Sequence, residues 1–166
     1  MSVKSSKEKI YKSTSQYGDI YLQIDQTTYQ PGDTITGTIY LNLISSYPGN
    51  QLYIKLKGKE VGHFVVQEGD RNNRHLVRRT VTNHIIHDNI LAHHWGSISP
   101  RQLSLPFSFR LPDSLPSSFH QEGYGYSLFL EYQVQAFLQP YESDGPKQGL
   151  KYLPFSLQTQ IHYKSL

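Results

Sequence analysis

The chain has 166 residues, which is long enough for one domain with a hydrophobic core of its own. It contains no cysteine, and this excludes disulfides, metal sites with cysteine ligands and a thiol nucleophile. The formal net charge of +3 is small for a dedicated nucleic-acid-binding protein, so we expect no nucleic acid among its partners. Thirteen tyrosines and seven phenylalanines against one methionine favour strands over helices.

The amino terminus lacks the apolar stretch of a signal peptide, and the chain has no run of the roughly 18 apolar residues that would span a membrane. We therefore expect a cytoplasmic protein. The polar, lysine-bearing residues 1–8 predict a basic flexible tail, and residues 9–166 predict a single domain.

The first half of the chain alternates apolar and polar residues with the period of strands. A brief strand is predicted at residues 9–12 and a second at 20–24, and the clearest alternation follows in residues 35–43 and 52–60. Turn-forming residues separate these last two runs, so we predict that they pair as an antiparallel hairpin. The second run continues to residue 66 and leads into a polar loop.

The second half predicts longer and less regular strands. Residues 75–91 predict one or two strands with a bulge or break near residues 83–89. Residues 103–111 predict a strand that Pro106 restricts to an edge or a bulge, because proline cannot donate to a ladder. After a connector with two prolines, residues 126–138 show the longest clean alternation, which predicts the central strand of a sheet.

A last strand is predicted from residue 153 onwards, and no segment places apolar residues at helical spacing over ten or more residues. Seven to nine strands with turn residues between them predict an all-β fold, an antiparallel immunoglobulin-like β-sandwich.

Four segments carry a family likeness in the same order, at residues 20–43, 52–60, 105–119 and 130–138. They include the sequences Tyr-Gln-Pro-Gly-Asp-Thr-Ile-Thr-Gly-Thr-Ile, Leu-Lys-Gly-Lys-Glu, Leu-Pro-Phe-Ser-Phe-Arg-Leu-Pro and Leu-Glu-Tyr-Gln-Val-Gln-Ala. In these segments the chain resembles the amino-terminal domain of the arrestin fold, in particular the arrestin-domain-containing or alpha-arrestin branch.

The resemblance implies an arrestin-type sandwich that acts as a non-enzymatic adaptor or scaffold. Such proteins link the cytoplasmic tails of membrane proteins to sorting machinery in protein transport, endocytosis and signalling, with peripheral contact at endosomal or plasma membranes. The family usually has a second, carboxy-terminal sandwich, so we expect either a single-domain relative or a chain from which that domain is missing. Pro140-Tyr141 lacks the preceding proline of the family's ligase-recruiting motifs, so ligase recruitment is not predicted.

Two sets of lysines are candidate partner-binding residues. By resemblance to receptor-binding arrestins, Lys9 and Lys12 beside the first strand would contact phosphates on a partner's tail. Lysine on an edge strand also discourages aggregation, which is the simpler interpretation. Lys55 and Lys57 share the polar face of the strand at 52–60, where they form either a docking stripe for acidic tails or anionic lipid or an ordinary solvated face.

Four arginines, Arg71, Arg74, Arg78 and Arg79, form a basic cluster at and after the polar loop. The cluster lacks the interleaved aromatic residues of a single-stranded nucleic-acid site, and an acidic protein partner fits it equally well.

Neither a metal ion nor another cofactor is predicted. On a regular strand His84 and His87 face opposite sides, as do His93 and His94, so neither pair can chelate a metal from such a strand. A bulge could bring one pair together.

No enzyme is predicted, because the chain has no Gly-x-Ser-x-Gly elbow, no paired-carboxylate motif and no glycine-rich phosphate loop ahead of a helix. Two other binding functions remain open. Tyr40 and Tyr53, both on polar faces, suggest a carbohydrate-binding sandwich, and the chain could also be a structural subunit of a larger assembly.

Overall fold

The computed structural model describes residues 10–142, 148–149 and 153–157. Within these ranges the chain forms strands and no helix, which confirms the all-β prediction. The strands are β1 (Ile10–Ser15), β2 (Gly18–Ile24), β3 (Thr28–Tyr29), β4 (Thr34–Leu43), β5 (Gly49–Glu68), β6 (His75–His94), β7 (Gln102–Arg110), β8 (Phe119–Gly123), β9 (Tyr126–Pro140), β10 (Gln148–Gly149) and β11 (Leu153–Leu157). Without the two-residue strands β3 and β10, nine strands remain, within the predicted range.

The strands form two sheets. The first has four antiparallel strands in the order β1-β2-β4-β7, so Pro106 lies on the edge strand that its missing N–H group requires. The second sheet has the order β3-β11-β9-β5-β6, with β8 and β10 also paired to β9. Every pairing among the described strands is antiparallel except that of β3 with β11. The central position predicted for residues 126–138 is confirmed in β9.

The inner faces of the two sheets enclose one hydrophobic core. In β2 and β4 every second residue is buried, as in β5 from Leu52 to Gly58 and in β9 from Leu130. The fully buried side chains include Ile20, Leu22, Ile35, Ile39, Leu41, Leu52, Ile54, Leu56, Tyr132 and Leu138. The period-two pattern of the sequence therefore identified the core-facing residues of both sheets.

The predicted hairpin between residues 35–43 and 52–60 is wrong. Strand β4 pairs with β2 and β7, whereas β5 pairs with β6 and β9, so the two strands belong to opposite sheets. The connection between them crosses the end of the sandwich and is anchored by Tyr47, which is 3% exposed. The Tyr47 hydroxyl donates to the Leu138 carbonyl oxygen at 3.1 Å, and its ring packs edge-on against Tyr17 at 5.2 Å between centroids. Alternation identifies the buried face of a strand but does not identify its neighbour.

The predicted irregularity in residues 83–89 is confirmed as a bulge in β6. Gly58 pairs with Ile86 and Lys59 pairs with His84, so Ile85 is an extra residue without a partner on β5. A second register shift, between Leu52 and Tyr53, leaves one more extra residue near the end of β6. Beyond the first bulge residues 59–68 of β5 continue to pair with 75–84 of β6, and we call this stretch the ribbon. Residues 59–64 also pair with β9 on the other side, and most side chains of the ribbon are exposed.

The turn at residues 31–33, before β4, is hydrogen-bonded to the end of β7. Gly32 has a φ of 84°, a left-handed conformation that glycine adopts without strain. Arg110 Nε donates to the Gly32 carbonyl oxygen at 3.2 Å, and the Arg110 guanidinium also binds the Asp113 carboxylate at 3.0 Å. Two of the segments that carry the family likeness therefore meet at one corner of the fold.

Tyr132 on β9 packs over Gly58 on the neighbouring strand, where the two residues are paired across the sheet. A Cβ atom at Gly58 would lie 2.6 Å from the Tyr132 ring and 2.9 Å from Ile86. The Tyr132 hydroxyl, at the far end of this buried ring, donates to the Pro116 carbonyl oxygen at 2.6 Å. Glycine is therefore required at position 58 by the ring beside it.

We expect Gly58→Ala to lower the free energy of unfolding by about 1–3 kcal/mol, because the added methyl group overpacks the site against Tyr132. Urea denaturation measures the change. Gly96→Ala is the matched control, since no atom lies within 4 Å of a Cβ built there. Equal stability of the two variants would contradict the packing account.

We expect Tyr132→Phe to make the free energy of unfolding fall less steeply as pH rises above 10. Burial raises the pKa of Tyr132 from 10.0 to about 12, so its hydroxyl ionises in the unfolded chain before it does so in the folded one. The stability linked to this group is complete below pH 10 and is lost as pH rises towards 12, at up to about 1.4 kcal/mol per pH unit.

Urea denaturation at several pH values compares the slopes of wild type and Tyr132→Phe. At neutral pH the variant should lose about 1 kcal/mol, because the Pro116 carbonyl oxygen loses its donor. Tyr124→Phe, which removes a hydroxyl from a fully exposed ring, is the control. An unchanged slope in Tyr132→Phe would contradict the assignment.

Candidate functional site

The outer face of the second sheet carries a row of lysines along β5. Lys55, Lys57 and Lys59 alternate with the buried Leu56 and Gly58, so their side chains point away from the core. Across the sheet their partners on β9 are the neutral Gln135 and Gln133 and the acidic Glu131.

Neighbouring side chains hold the ends of this row in place. Lys55 Nζ lies 5.5 Å from the centroid of the Phe137 ring, a cation–π distance, and Phe137 in turn stacks on Tyr53. At the other end Lys59 Nζ lies 3.7 Å from Glu131. Two of the three amines therefore have neighbouring partners, and all three lysines are partly exposed.

The bulge at Ile85 brings histidines to the same face. His84 pairs with Lys59 and His87 pairs with Lys57, so both imidazoles lie beside the lysine row and both are exposed. His84 and His87 would face opposite sides of a regular strand, but the extra residue between them reverses the alternation and places both on one face. We call the surface formed by Lys55, Lys57, Lys59, His84 and His87 the lysine face.

The two histidines do not form a metal centre with a third ligand. Within the described ranges, no three histidine, aspartate or glutamate side chains are grouped so that they could hold a metal ion. The chemistry available to the lysine face is the binding of anions by ammonium groups, with additional positive charge wherever the histidines are protonated.

The edge of the first sheet presents Lys12 on β1, while Lys9 lies outside the described residues. Lys12 Nζ lies 3.4 Å from the Asp19 carboxylate and 5.2 Å from the centroid of the Tyr21 ring. The hydrogen bond with Tyr21 and the charge of Asp19 raise the pKa of Lys12 above its usual value. A phosphate bound at Lys12 would have to compete with Asp19.

The four arginines lie along the ribbon. Arg71 and Arg74 are in the turn at its tip, and Arg78 and Arg79 follow on β6. Arg79 forms an ion pair with Glu68 on the opposite strand. No carboxylate in the part of the chain that the structure describes forms an ion pair with Arg71, Arg74 or Arg78.

The two tyrosines that suggested a carbohydrate site do not lie together. Tyr40 belongs to β4 and faces outward from the first sheet beside Tyr21, whereas Tyr53 faces outward from the second sheet. The sandwich separates them, so they cannot contact one sugar ring.

Among the described residues there is also no helix long and apolar enough to cross a membrane.

Comparison with known proteins places this geometry in a family. The sequence model of the family described as "Arrestin (or S-antigen), N-terminal domain" matches residues 18–148 of the chain. The chain belongs to this family. The match includes strands of both sheets, with all of β2 to β9, and it confirms the resemblance found in the four sequence segments.

A curated relative of this arrestin N-terminal domain is "Arrestin domain-containing protein A" of Dictyostelium discoideum. The two are 29% identical over 115 residues, which cover 63% of this chain and 20% of the relative. The chain therefore spans about a fifth of the length of the curated relative that it matches.

Two solved structures are similar to this arrestin N-terminal domain. Squid arrestin is 14% identical with a TM-score of 0.42, and the match covers 91% of this chain and 52% of that protein. Spo0M, a sporulation control protein from Bacillus subtilis, is 15% identical with a TM-score of 0.47, and the match covers 85% of this chain and 49% of that protein.

Sequence reasoning identified the lysines of the outer face but missed the histidines that join them. The signal that could have found them is the break in alternation between Ile85 and Ile86, two adjacent apolar residues in an otherwise exposed strand. Placing the extra residue between the histidines, rather than elsewhere in residues 83–89, puts both on one face.

We expect Asp19→Asn to lower the pKa of Lys12 towards its usual value, because the variant removes the negative charge 3.4 Å from the ammonium group. A titration of the Lys12 ε-carbon chemical shift measures the change. Asp113→Asn is the control, since Asp113 pairs with Arg110 instead. An unchanged titration in Asp19→Asn would show that Asp19 does not hold Lys12.

Proposed function

We propose that this arrestin N-terminal domain is a non-enzymatic adaptor that binds acidic or phosphorylated cytoplasmic tails of membrane proteins, and that it does so at the lysine face. In this role it acts in the cytoplasm, at the surface of endosomal or plasma membranes, and it connects cargo to sorting machinery. Membership of a family of binding proteins supports the general role.

The observation that carries the proposal is the ordered row of ammonium groups on β5. Lys55, Lys57 and Lys59 repeat at every second residue, about 7 Å apart along a strand. An extended tail with acidic groups at the same spacing can pair with them in register. On β9 the residues paired with this row are Gln135, Gln133 and Glu131, and Glu131 forms an ion pair with Lys59.

Lys12 is the second candidate within the same function. Its edge strand suits an added tail, as Lys9 and Lys12 suggest by resemblance, but Lys12 is already engaged by Asp19 and Tyr21. An anion there must displace an existing carboxylate, and this edge offers one described lysine where the lysine face offers three. We therefore assign the main contact to the lysine face.

We expect the double variant Lys55→Gln, Lys57→Gln to weaken tail binding roughly tenfold, because it removes two of the three ammonium groups of the row. The measurement is fluorescence anisotropy with labelled membrane-protein tail peptides, selected on an array that holds each tail in phosphorylated and unphosphorylated form. Affinity should fall as salt is raised, since the contacts are exposed and screened.

Arg101→Gln is the matched control, because it removes one positive charge from an exposed position beside the first sheet. If neither form of any tail binds, the proposed function is wrong. If tails bind equally to wild type and to the double lysine variant, the lysine face is not the site. Binding only to phosphatidylserine vesicles would replace tail recognition by membrane attachment.

A further inference from the structure

The longest unprotected strand edge in the described part of the chain is that of β6. Among the described strands β6 pairs only with β5, so every second residue of its 20 points its N–H and C=O groups away from the sheet. The other edges are shorter or carry features that oppose strand pairing: Pro106 on β7, Lys12 on β1, a length of two residues in β3 and β10, and a length of five in β8. Strand β6 contains neither proline nor lysine.

Only part of this edge is regular. Residues 75–84 pair with 59–68 of β5 without a register shift, and the bulge at Ile85 ends the regular stretch. Ten residues in strand geometry span about 33 Å, enough for an added segment of six to eight residues. This stretch belongs to the ribbon, and nine of its ten residues are exposed, so an incoming segment would find it accessible.

The side chains of this edge define the chemistry of its occupant. Arg78 is exposed on the outer face. Arg79 lies on the inner face and forms an ion pair with Glu68. Between residues 75 and 84 there is no aspartate or glutamate. Apolar side chains are exposed there as well, since Leu76 is 73% and Val81 is 60% exposed.

A groove lies beside the same stretch. It has a volume of about 610 Å³ and is lined by Arg78, Arg79 and Thr80 of β6, by residues 63–65 of β5 and by residues 125–127. The turn that forms one wall is held by a hydrogen bond from the Val65 amide to the Gly125 carbonyl oxygen at 2.8 Å. Side chains of a segment that pairs with β6 could enter this groove.

We infer that residues 75–84 of β6 form a strand-addition site for an extended acidic peptide segment, in which acidic side chains alternate with β-branched apolar ones. The acidic side chains lie over Arg78 on the outer face, and the apolar ones lie beside Val77 and Val81 on the inner face. The inference deepens the proposed function and rests on it, since it names a second contact for the same class of partner.

A second copy of the chain fits this edge less well than an acidic segment. Two β6 strands side by side would bring together Arg78 and Arg79 of both copies, and no carboxylate of the 75–84 stretch would separate them. Like charges opposite each other destabilise strand pairs, whereas acidic side chains opposite these arginines stabilise them. Backbone hydrogen bonds then supply affinity, and the side chains supply selectivity.

The test uses the whole chain and a labelled nine-residue peptide in which glutamate and valine alternate. We expect saturable binding in fluorescence anisotropy and a roughly three- to tenfold loss of affinity in Arg78→Gln, with no loss in Arg101→Gln. N-methylation of two consecutive central peptide residues blocks both edges of the added strand, so it should abolish binding. The control peptide carries the same two methyl groups on its last two residues and should still bind.

Hydrogen exchange followed by NMR gives the geometric readout. Bound peptide should slow the exchange of alternate amides in residues 75–84, because only every second amide points towards the added strand. Protection of other strands, or binding that survives central N-methylation, would overturn the inference.

The failures of the two proposals are distinguishable. Binding that falls with Lys55→Gln, Lys57→Gln but not with Arg78→Gln would place the peptide on the lysine face, which overturns the β6 site and leaves the proposed function intact. If the chain binds membrane-protein tails but does not bind the peptide, the β6 site is likewise overturned and the proposed function stands. A dimer of the chain that the peptide dissociates would show that a second copy is the natural occupant of this edge, and it would overturn the inference as well.

Discussion

The mutual burial of two apolar sheet faces is the constraint on which the rest of this structure depends. Each sheet has one face of alternating aliphatic residues, and neither can leave that face in water. Tyr132 shows how closely the layers fit, because its ring fills the space over Gly58 and its hydroxyl reaches a carbonyl group in the connector before β8. With the inner positions committed to packing, polar chemistry is left to the outer faces and to the strands that extend beyond the core.

Most of the fold could be predicted from the chain alone, because burial on one face produces a period of two that is visible without coordinates. The central position of β9, the edge position of β7 and the irregularity of β6 all follow from single-strand features: an unbroken alternation, a proline and a broken alternation. The pairing of β4 with β5 was predicted wrongly because two strands from opposite sheets have the same pattern as two strands of one hairpin. The contacts of Tyr47 decide between the two arrangements, and they are made with residues distant in sequence.

The same limit applies to the candidate surfaces. Lys55 and Lys57 could be assigned to an outer face from parity, but their neighbours on β6 depend on where one extra residue falls. The adjacent Ile85 and Ile86 mark a break in the alternation, but the pairing of two 20-residue strands sets which residue is the extra one. The arginines differ in a similar way: the sequence groups four of them, and the structure divides them between a turn and an exposed strand edge, where their possible partners differ.

The crossing of the chain between sheets after β4 has a consequence for how the protein folds. Strand β4 completes its sheet only with β7, and the core over it closes only with β9, so the local pairs of β1 with β2 and of β2 with β4 stay uncovered until distant segments arrive. The β5–β6 pair is the longest of the local pairs. Its two strands are joined by a short turn and can pair outward from that turn before distant segments are present. During synthesis the ribbon can therefore exist before the sandwich, and its exposed arginines keep the nascent strand edge charged and soluble until the other strands arrive.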